Sequence, residues 1–524
     1  MKRGKQSFIA GTMILLAAGI INRLFGFIPR IALPRIIGAE GVGLYQLGFP
    51  FLYAVLTLIT GGVPLAVAKL VAEAESEGNE RRVRGILYIA LIITSALGIG
   101  FMAACLFASP WITSNLLTDR RVYYTFLCMS PIIPIAGISS VLRGYFQGRQ
   151  NMIPSAASSV METLVRVAMS IACAYMLRPY GIEMAAAGAM IGVLIGETAG
   201  FTVLLVQYLK SRRGYQFYLT AKIGANTLFT GIPAYLRRLL TISVPVTGSR
   251  LIGSFSYLTE SILITQSLAL AGVATAVATA QYGMLTGMVM PVVYLPSALT
   301  FSLAVSLVPS LSEAAAKHDM RTIHKRLHQS LRLALVTGAP FAVVMIVLAE
   351  PLCQLLYGHG EVGKLLKMVA PIALFIYFQA PLNSALQALD RPGSALVNTL
   401  IGAIVKLGCI YLLASRPEWG IRGAVLAINA NIVLVTLLHW RSVTKMLKFS
   451  LPGIDFLKVG GAMIFMASSC YLAMKTPWIP SGLLQFFFSC AAGMIVYLAC
   501  IVWFNLVDKY DIQRIPWIGK KWIR

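Results

Sequence analysis

Long apolar runs alternate with short polar segments along the whole chain. We read fourteen such runs, near residues 8–37, 44–68, 85–108, 125–145, 156–177, 183–208, 239–268, 276–307, 333–350, 366–388, 395–414, 420–440, 455–474 and 483–506. About 20 apolar residues in a helix cross a ~30 Å hydrocarbon core. The runs are continuously apolar and do not alternate residue by residue, so they predict helices and not barrel strands. The expected fold class is an all-α integral membrane protein with about fourteen transmembrane helices.

The chain also repeats itself at a shift of about 240 residues. Glu73-Ala74-Glu75 with Asn79 and Arg81 matches Glu313-Ala314-Ala315 with Asp319 and Arg321, and Phe146-Gln147 matches Leu386-Gln387. Arg166 matches Lys406, and Pro179-Tyr180-Gly181-Ile182 matches Glu418-Trp419-Gly420-Ile421. Each half holds six spans, and an even number returns the chain to its starting side. The expected organisation is a six-helix bundle over 1–210, a cytosolic linker over 211–238 and a second bundle over 239–448. Two additional helices and a basic tail follow over 449–524. Paired bundles of this kind predict a central path and alternating access.

Composition agrees with a membrane class. Hydrophobic residues make up 58% and charged residues 12%, with mean hydropathy +0.77. That excludes an ordinary soluble enzyme. The net charge of +25 could mark nucleic acid, but the bases sit between apolar runs. With a cytosolic N-terminus, 30 Lys and Arg, Arg143 and Arg149 among them, fall in inner segments against 8 outside. This bias predicts cytosolic N- and C-termini in the cell membrane, with anionic lipids as partners and no nucleic acid. The basic N-terminus resembles a signal peptide, but its apolar run is long and holds Arg23 and Arg30, so an uncleaved span is expected.

Charge inside the spans is the functional signal. Six bases lie there, Arg23, Arg30, Arg35, Arg166, Arg250 and Lys406, against three acids, Glu162, Glu197 and Glu260. Each costs about 2.5–3.5 kcal/mol unless it meets a partner or water. The excess of bases predicts a hydrated, electropositive cavity with an anionic cargo. Arg23, Arg30, Arg166, Arg250 and Lys406 are the candidate anion ligands, and Glu162, Glu260 and Glu197 the candidates for charge balance or ion coupling. Arg23 and Arg30, seven apart, share a helix face ~10 Å apart along its axis. Glu162 and Arg166 are placed to neutralise one another at i,i+4. Lys406 lacks that partner, because Gly402 stands at the repeat position of Glu162. Arg35 is placed either to line the cavity or to snorkel to outer headgroups. Gly26, Pro29, Pro34, Pro64 and Pro245 are expected to interrupt or loosen their spans and to act as gates or hinges.

Other motifs fail. Gly358–Lys364 fits the first positions of a phosphate-binding loop, but Leu365 follows where Ser or Thr is needed, and no strand precedes it. His324 and His328 sit in a basic segment that repels a metal cation and reads as a solvated amphipathic helix. No cysteine forms a CxxC, and no nucleophile set is recognisable. No cofactor, no metal and no catalytic residue are expected, so the reading is a transporter and not an enzyme.

At Arg143-Gly144-Tyr145-Phe146-Gln147-Gly148-Arg149 the chain resembles the polysaccharide-export branch of the multidrug/oligosaccharidyl-lipid/polysaccharide exporter superfamily. Gly38-Ala39-Glu40-Gly41-Val42-Gly43, Gly62-Val63-Pro64-Leu65-Ala66-Val67-Ala68-Lys69 and Tyr180-Gly181-Ile182-Glu183 support it. Ser159 and Thr163 depart from it, standing where relatives often carry Gln. The resemblance implies a flippase for a lipid-linked oligosaccharide. For this branch that implies lipid II, the undecaprenyl-pyrophosphate-linked peptidoglycan precursor, delivered for the spore cortex across the forespore-surrounding membrane. It is also similar to MurJ-type flippases, in which first-span arginines line the cavity. Arg23 and Arg30 match that pattern, Arg250 does so by analogy, and the last two helices are implied to form a groove for the lipid tail. Two other classes stand beside this one. A drug or cation antiporter of the same superfamily would want an acidic cavity, and a non-transporting scaffold would recruit cell-wall synthases as partners.

Overall fold

The computed structural model describes residues 8–219, 232–448, 453–476 and 482–506. They are helical, with no strand among them. The first half runs α1 (Phe8–Thr60), α2 (Val63–Ser76), α3 (Glu80–Trp111), α4 (Tyr123–Met129), α5 (Ile132–Gly148), α6 (Ile153–Leu177) and α7 (Ile182–Leu219). Next come α8 (Ile232–Leu270), α9 (Thr275–Gly283), α10 (Met290–Tyr294), α11 (Ser297–Ala316), α12 (Met320–Val347), α13 (Ala349–Tyr357) and α14 (Val362–Val369). The chain continues with α15 (Ala373–Ala388), α16 (Pro392–Ala414), α17 (Gly420–Leu447), α18 (Gly453–Lys475) and α19 (Gly482–Trp503). Among the described residues twelve stretches are long and apolar enough to cross a membrane. Large apolar side chains stand fully outward, Phe107 at 87% and Leu457 at 77% exposure. Such a surface needs hydrocarbon around it, and the protein is a multi-pass membrane protein.

The break in α1 is not at its prolines. The helix runs on through Pro29, Pro34 and Pro50, and the residue that leaves helical dihedrals is Gly38, at φ 67° and ψ −178°. Pro245 likewise lies inside an unbroken α8. A proline removes one helical hydrogen bond, which costs a bend, whereas the conformation at Gly38 is open only to glycine. A Cβ there would meet nothing within 4 Å, so the strain of a substitution would be purely in the backbone. Gly38→Ala should therefore destabilise by about 1–3 kcal/mol. Gly26, helical and equally open, should tolerate alanine. Thermal unfolding of the two purified variants checks this. Pro64 does open a helix: α2 begins just after the Gly61-Gly62 break.

The chain forms two compact units, 1–283 and 284–524. In the first, a core of Val67, Leu70, Ile86, Leu87, Val141 and Leu142 joins α2, α3 and α5. Gly144 and Gly148 let α5 press onto α2, since Cβ atoms there would stand 2.6 Å from the Pro64 and Ala68 carbonyl oxygens. In the second, α12 and α15 share a core with α18 and α19. The Tyr497 hydroxyl donates to the Val336 carbonyl at 2.7 Å, tying α19 to α12.

The duplication is visible in backbone geometry. Left-handed residues recur as Gly78 and His318, Thr118 and Gly358, Gln150 and Asp390, and Gly181 and Gly420. After α2, Gly78 and Asn79 donate to the Glu75 and Ala74 carbonyls; after α11, His318 and Asp319 donate to those of Ala315 and Ala314. The next residue caps a helix in both halves. Asn79 accepts from the Arg82 amide and Asp319 from the Thr322 amide, each at 3.0 Å. Asn79→Ala should cost about 1 kcal/mol in thermal unfolding. The Thr322 hydroxyl and amide hold the Asp319 carboxyl below its ordinary pKa. Its cap is therefore complete at neutral pH and lost only as acid passes below the usual carboxylate range.

Candidate functional site

A glycine seam positions the intramembrane charges of the first unit. Gly188, Gly192, Gly196 and Gly200 recur every fourth residue along one face of α7. Cβ atoms on them would fall 2.1–2.9 Å from atoms of α6: the Cys173 carbonyl oxygen, the Ser170 amide, Arg166 Cβ and Glu162 Cβ. Small residues at this spacing let two helices approach backbone to backbone, which suits a setting where burial of apolar side chains gives little drive.

The contact fixes a polar cluster. The Glu162 carboxylate accepts from Arg143 Nη2 at 2.7 Å and from Arg166 Nη1 at 3.1 Å. Arg166 Nη2 also reaches Thr163 Oγ1 at 3.4 Å. Glu197 lies in the electrostatic field of all three charges, beside the Ser139 hydroxyl. Two acids thus face two bases. Arg143, counted above with the cytosolic bases, stands on α5 inside a spanning stretch. Only its place in the Arg-Gly-Tyr-Phe-Gln-Gly run signals it. Ser159, one of the two departures, accepts from Asn22 Nδ2 at 2.6 Å and ties α1 to α6.

The second half inverts the sizes. The positions of Gly196 and Gly200 are Val435 and His439, and that of Glu162 is Gly402. Gly402 makes room for Val435, whose Cγ2 lies 2.2 Å from where a Cβ would be. The space given by α7 in one half is given by α16 in the other, and the position of Glu162 is left without a side chain. Lys406 is half-buried on α16 and interacts with other groups.

A second charged face lies on α1 and α8. Arg30 and Arg250 are exposed, and among the described residues no carboxylate lies within ion-pair distance of either. Arg30 is near enough to act electrostatically on the Tyr45 and Tyr257 hydroxyls, and Arg166 on Tyr45. Glu260, half-buried, faces Tyr257 in the same way. Thr57 and Ser254 share a hydroxyl–hydroxyl hydrogen bond of 2.7 Å that pins α1 to α8. Arg23 and Arg35 are exposed on α1, and each makes contacts of its own.

Elsewhere in the first unit, Asp119, 2% exposed, accepts from Arg121 and from Thr279 Oγ1 at 2.7 Å, while Arg121 also reaches Glu40 just after the Gly38 break. At the other end Arg149 pairs with Glu75 and Glu80, and Arg238 with Glu73. In the second unit the two histidines are anchors and not a solvated face. His324 Nε2 lies 2.8 Å from the Leu447 carbonyl and His328 Nε2 3.2 Å from Asp455, because α17 ends and α18 begins against α12. Gly358–Lys364 is the short turn after α13 together with the first residues of α14, with Gly358 left-handed at the α13 C-terminus. All eight cysteines are free thiols, and among the described residues no three His, Cys, Asp or Glu side chains could hold a metal.

A family model described as polysaccharide biosynthesis protein matches residues 8–315, more than half the chain. The chain belongs to the polysaccharide biosynthesis protein family. A second model, MatE, matches residues 254–412 of this family member. Stage V sporulation protein B of Bacillus subtilis (strain 168) is 41% identical over 524 residues, covering 99% of this chain and 100% of that protein. Lipid II flippase MurJ of the same organism is 24% identical, covering 98% of this chain and 99% of that one. A solved structure of lipid II flippase MurJ in an inward closed conformation superposes with TM-score 0.69 at 17% identity, over 94% of this chain and 99% of that chain. An inward-facing multidrug resistance transporter of the same superfamily gives 0.63 at 14% identity, over 83% and 98%. The family resemblance read from the Arg143–Gly148 run therefore holds along the whole chain, and the fold is shared with membrane transporters.

Proposed function

We propose that this protein is a flippase that moves an undecaprenyl-pyrophosphate-linked glycan precursor from the inner to the outer leaflet by alternating access. The favoured cargo is lipid II for spore-cortex peptidoglycan. The observation that carries the reading is the pair of exposed arginines, Arg30 and Arg250, on α1 and α8, with no carboxylate partner among the described residues. A diphosphate carries about two negative charges and suits planar guanidinium donors, which bind phosphate through two parallel N–H bonds. Arg23 extends this set along α1. Arg166 is bonded to Glu162 and Thr163, so it enters as a charge held in reserve, near enough to act electrostatically on the Tyr45 hydroxyl. Lys406 is its repeat counterpart in the second unit. Glu162, Glu197 and Glu260 balance charge or couple transport to an ion. Fourteen crossings follow when α1 counts as two segments about Gly38 and α8 is included. Both termini then lie in the cytosol, where cell-wall synthases are the further partners.

Relatives named for lipid II flipping and for sporulation support the reading. So does the excess of bases, which disfavours a drug or cation antiporter. The test is purified protein in vesicles carrying labelled lipid II. Protein-dependent exposure of the label on the opposite leaflet is the expected result, and exposure no faster than in empty vesicles would refute it.

A further inference from the structure

The α1–α8 face holds more than its arginines. Tyr45, Phe49, Tyr53 and Thr57 recur every four residues and share one side of α1 beyond the Gly38 break. Their rings form a continuous line: Tyr45 to Phe49 at 4.9 Å, Phe49 to Tyr53 at 6.0 Å, and Tyr53 across to Tyr257 of α8 at 6.3 Å with planes 60° apart. The line ends in an open corner, because Tyr53 is 53% exposed. One turn further on, the Thr57–Ser254 hydrogen bond holds the two helices in register. Gly62, in the break between α1 and α2, lets the chain close onto α8, since a Cβ there would lie 2.2 Å from the Ser243 carbonyl oxygen.

Exposed tyrosines in a membrane protein ordinarily meet headgroups or lipid. Arg30 and Glu260 both act electrostatically on the Tyr257 hydroxyl of this face. Hydrocarbon against it would leave the Arg30 charge at a cost of about 2.5–3.5 kcal/mol. The face is therefore built for a polar occupant that also has a flat apolar side. A pyranose has that character: one face of C–H groups that stacks on an aromatic ring, and a rim of hydroxyls that a carboxylate and phenols can bond.

We infer that Tyr53 and Tyr257 form a sugar platform, on which the pyranose joined to the diphosphate stacks while Arg30 holds the phosphates. The inference rests on the flippase reading of the same face and adds a second recognition element to it. The aromatic corner selects for a glycosylated lipid over the bare diphosphate carrier.

The test uses the full-length protein in lipid nanodiscs and two probes, lipid II and undecaprenyl pyrophosphate, titrated separately. Wild type should prefer lipid II by about tenfold, the scale of one good aromatic stacking contact. Tyr53→Ala should bring the two affinities close to parity without weakening the bare carrier, and Tyr53→Trp should keep the preference. Tyr257→Ala, on the other helix, gives an independent arm. No preference in wild type, or a preference that survives both alanine variants, would overturn the platform while leaving the diphosphate reading intact. Equal weakening of both probes by Tyr53→Ala would also overturn it, as a packing effect. Binding of neither probe by wild type would overturn both readings.

Discussion

Arg30→Ala should abolish lipid II exposure in the vesicle assay, a loss of about a hundredfold, while the protein still inserts in normal amounts. Arg30 is exposed on α1, and among the described residues it has no carboxylate to neutralise it. A hydrogen bond to a charged group contributes about 1.5–3 kcal/mol, and a guanidinium can offer two to one phosphate. Removing the side chain from a fixed diphosphate therefore reaches two orders of magnitude with no change elsewhere. Insertion should not suffer, because an arginine within a spanning segment opposes membrane insertion to begin with. Arg30→Lys keeps the charge and loses the planar fork, so intermediate activity is expected. Full activity of the alanine variant would remove Arg30 from the site. Normal activity with poor insertion of wild-type controls would not arise if protein levels are measured in the same vesicles.

The second large effect belongs to a residue with no chemistry of its own. Gly196→Leu should lower the stability of the purified protein and disconnect the Arg143–Glu162–Arg166 cluster. Even the Cβ would stand 2.5 Å from Arg166 Cβ and 2.8 Å from Arg166 Cα. Neither helix can yield locally, because Gly192 and Gly200 hold the same seam on either side. Overpacking of this kind costs about 1–3 kcal/mol, and the ion pairs held by α6 would shift with it. Gly408→Leu on α16 is the control. A Cβ there meets nothing within 4 Å, so its change should stay within about 0.5 kcal/mol. Thermal unfolding in detergent distinguishes the two, and equal midpoints would show that the seam does not set the packing of α6 on α7.

The same contrast marks how far the candidate site could be read in advance. The Glu162–Arg166 pair follows from i,i+4 spacing on one helix, and the structure keeps it at 3.1 Å. Arg143 could not be assigned that way. Near the end of an apolar run it reads as a loop base, and only the packing of α5 beside α6 brings its guanidinium to Glu162. The histidines of α12 carry the opposite lesson. Their spacing and basic surroundings describe a solvated face, and the covering helices come from more than a hundred residues later in the chain.

What the linear order of residues decided is the class of the protein, its all-helical membrane-spanning character, its duplication and the surplus of bases within the spans. Each of these depends on local quantities, apolar run length, charge and repetition, that fold with the chain and do not need a partner. The duplication even reappears as matched left-handed residues and matched helix caps, because a turn is set by its own few residues. What tertiary structure alone decided is which charges are engaged and which rings meet. Helix-to-helix distance is set by the bulk of facing side chains, and facing depends on a contact between segments far apart in sequence. Four glycines on α7 therefore matter more to the place of Arg166 than any residue next to it in the chain.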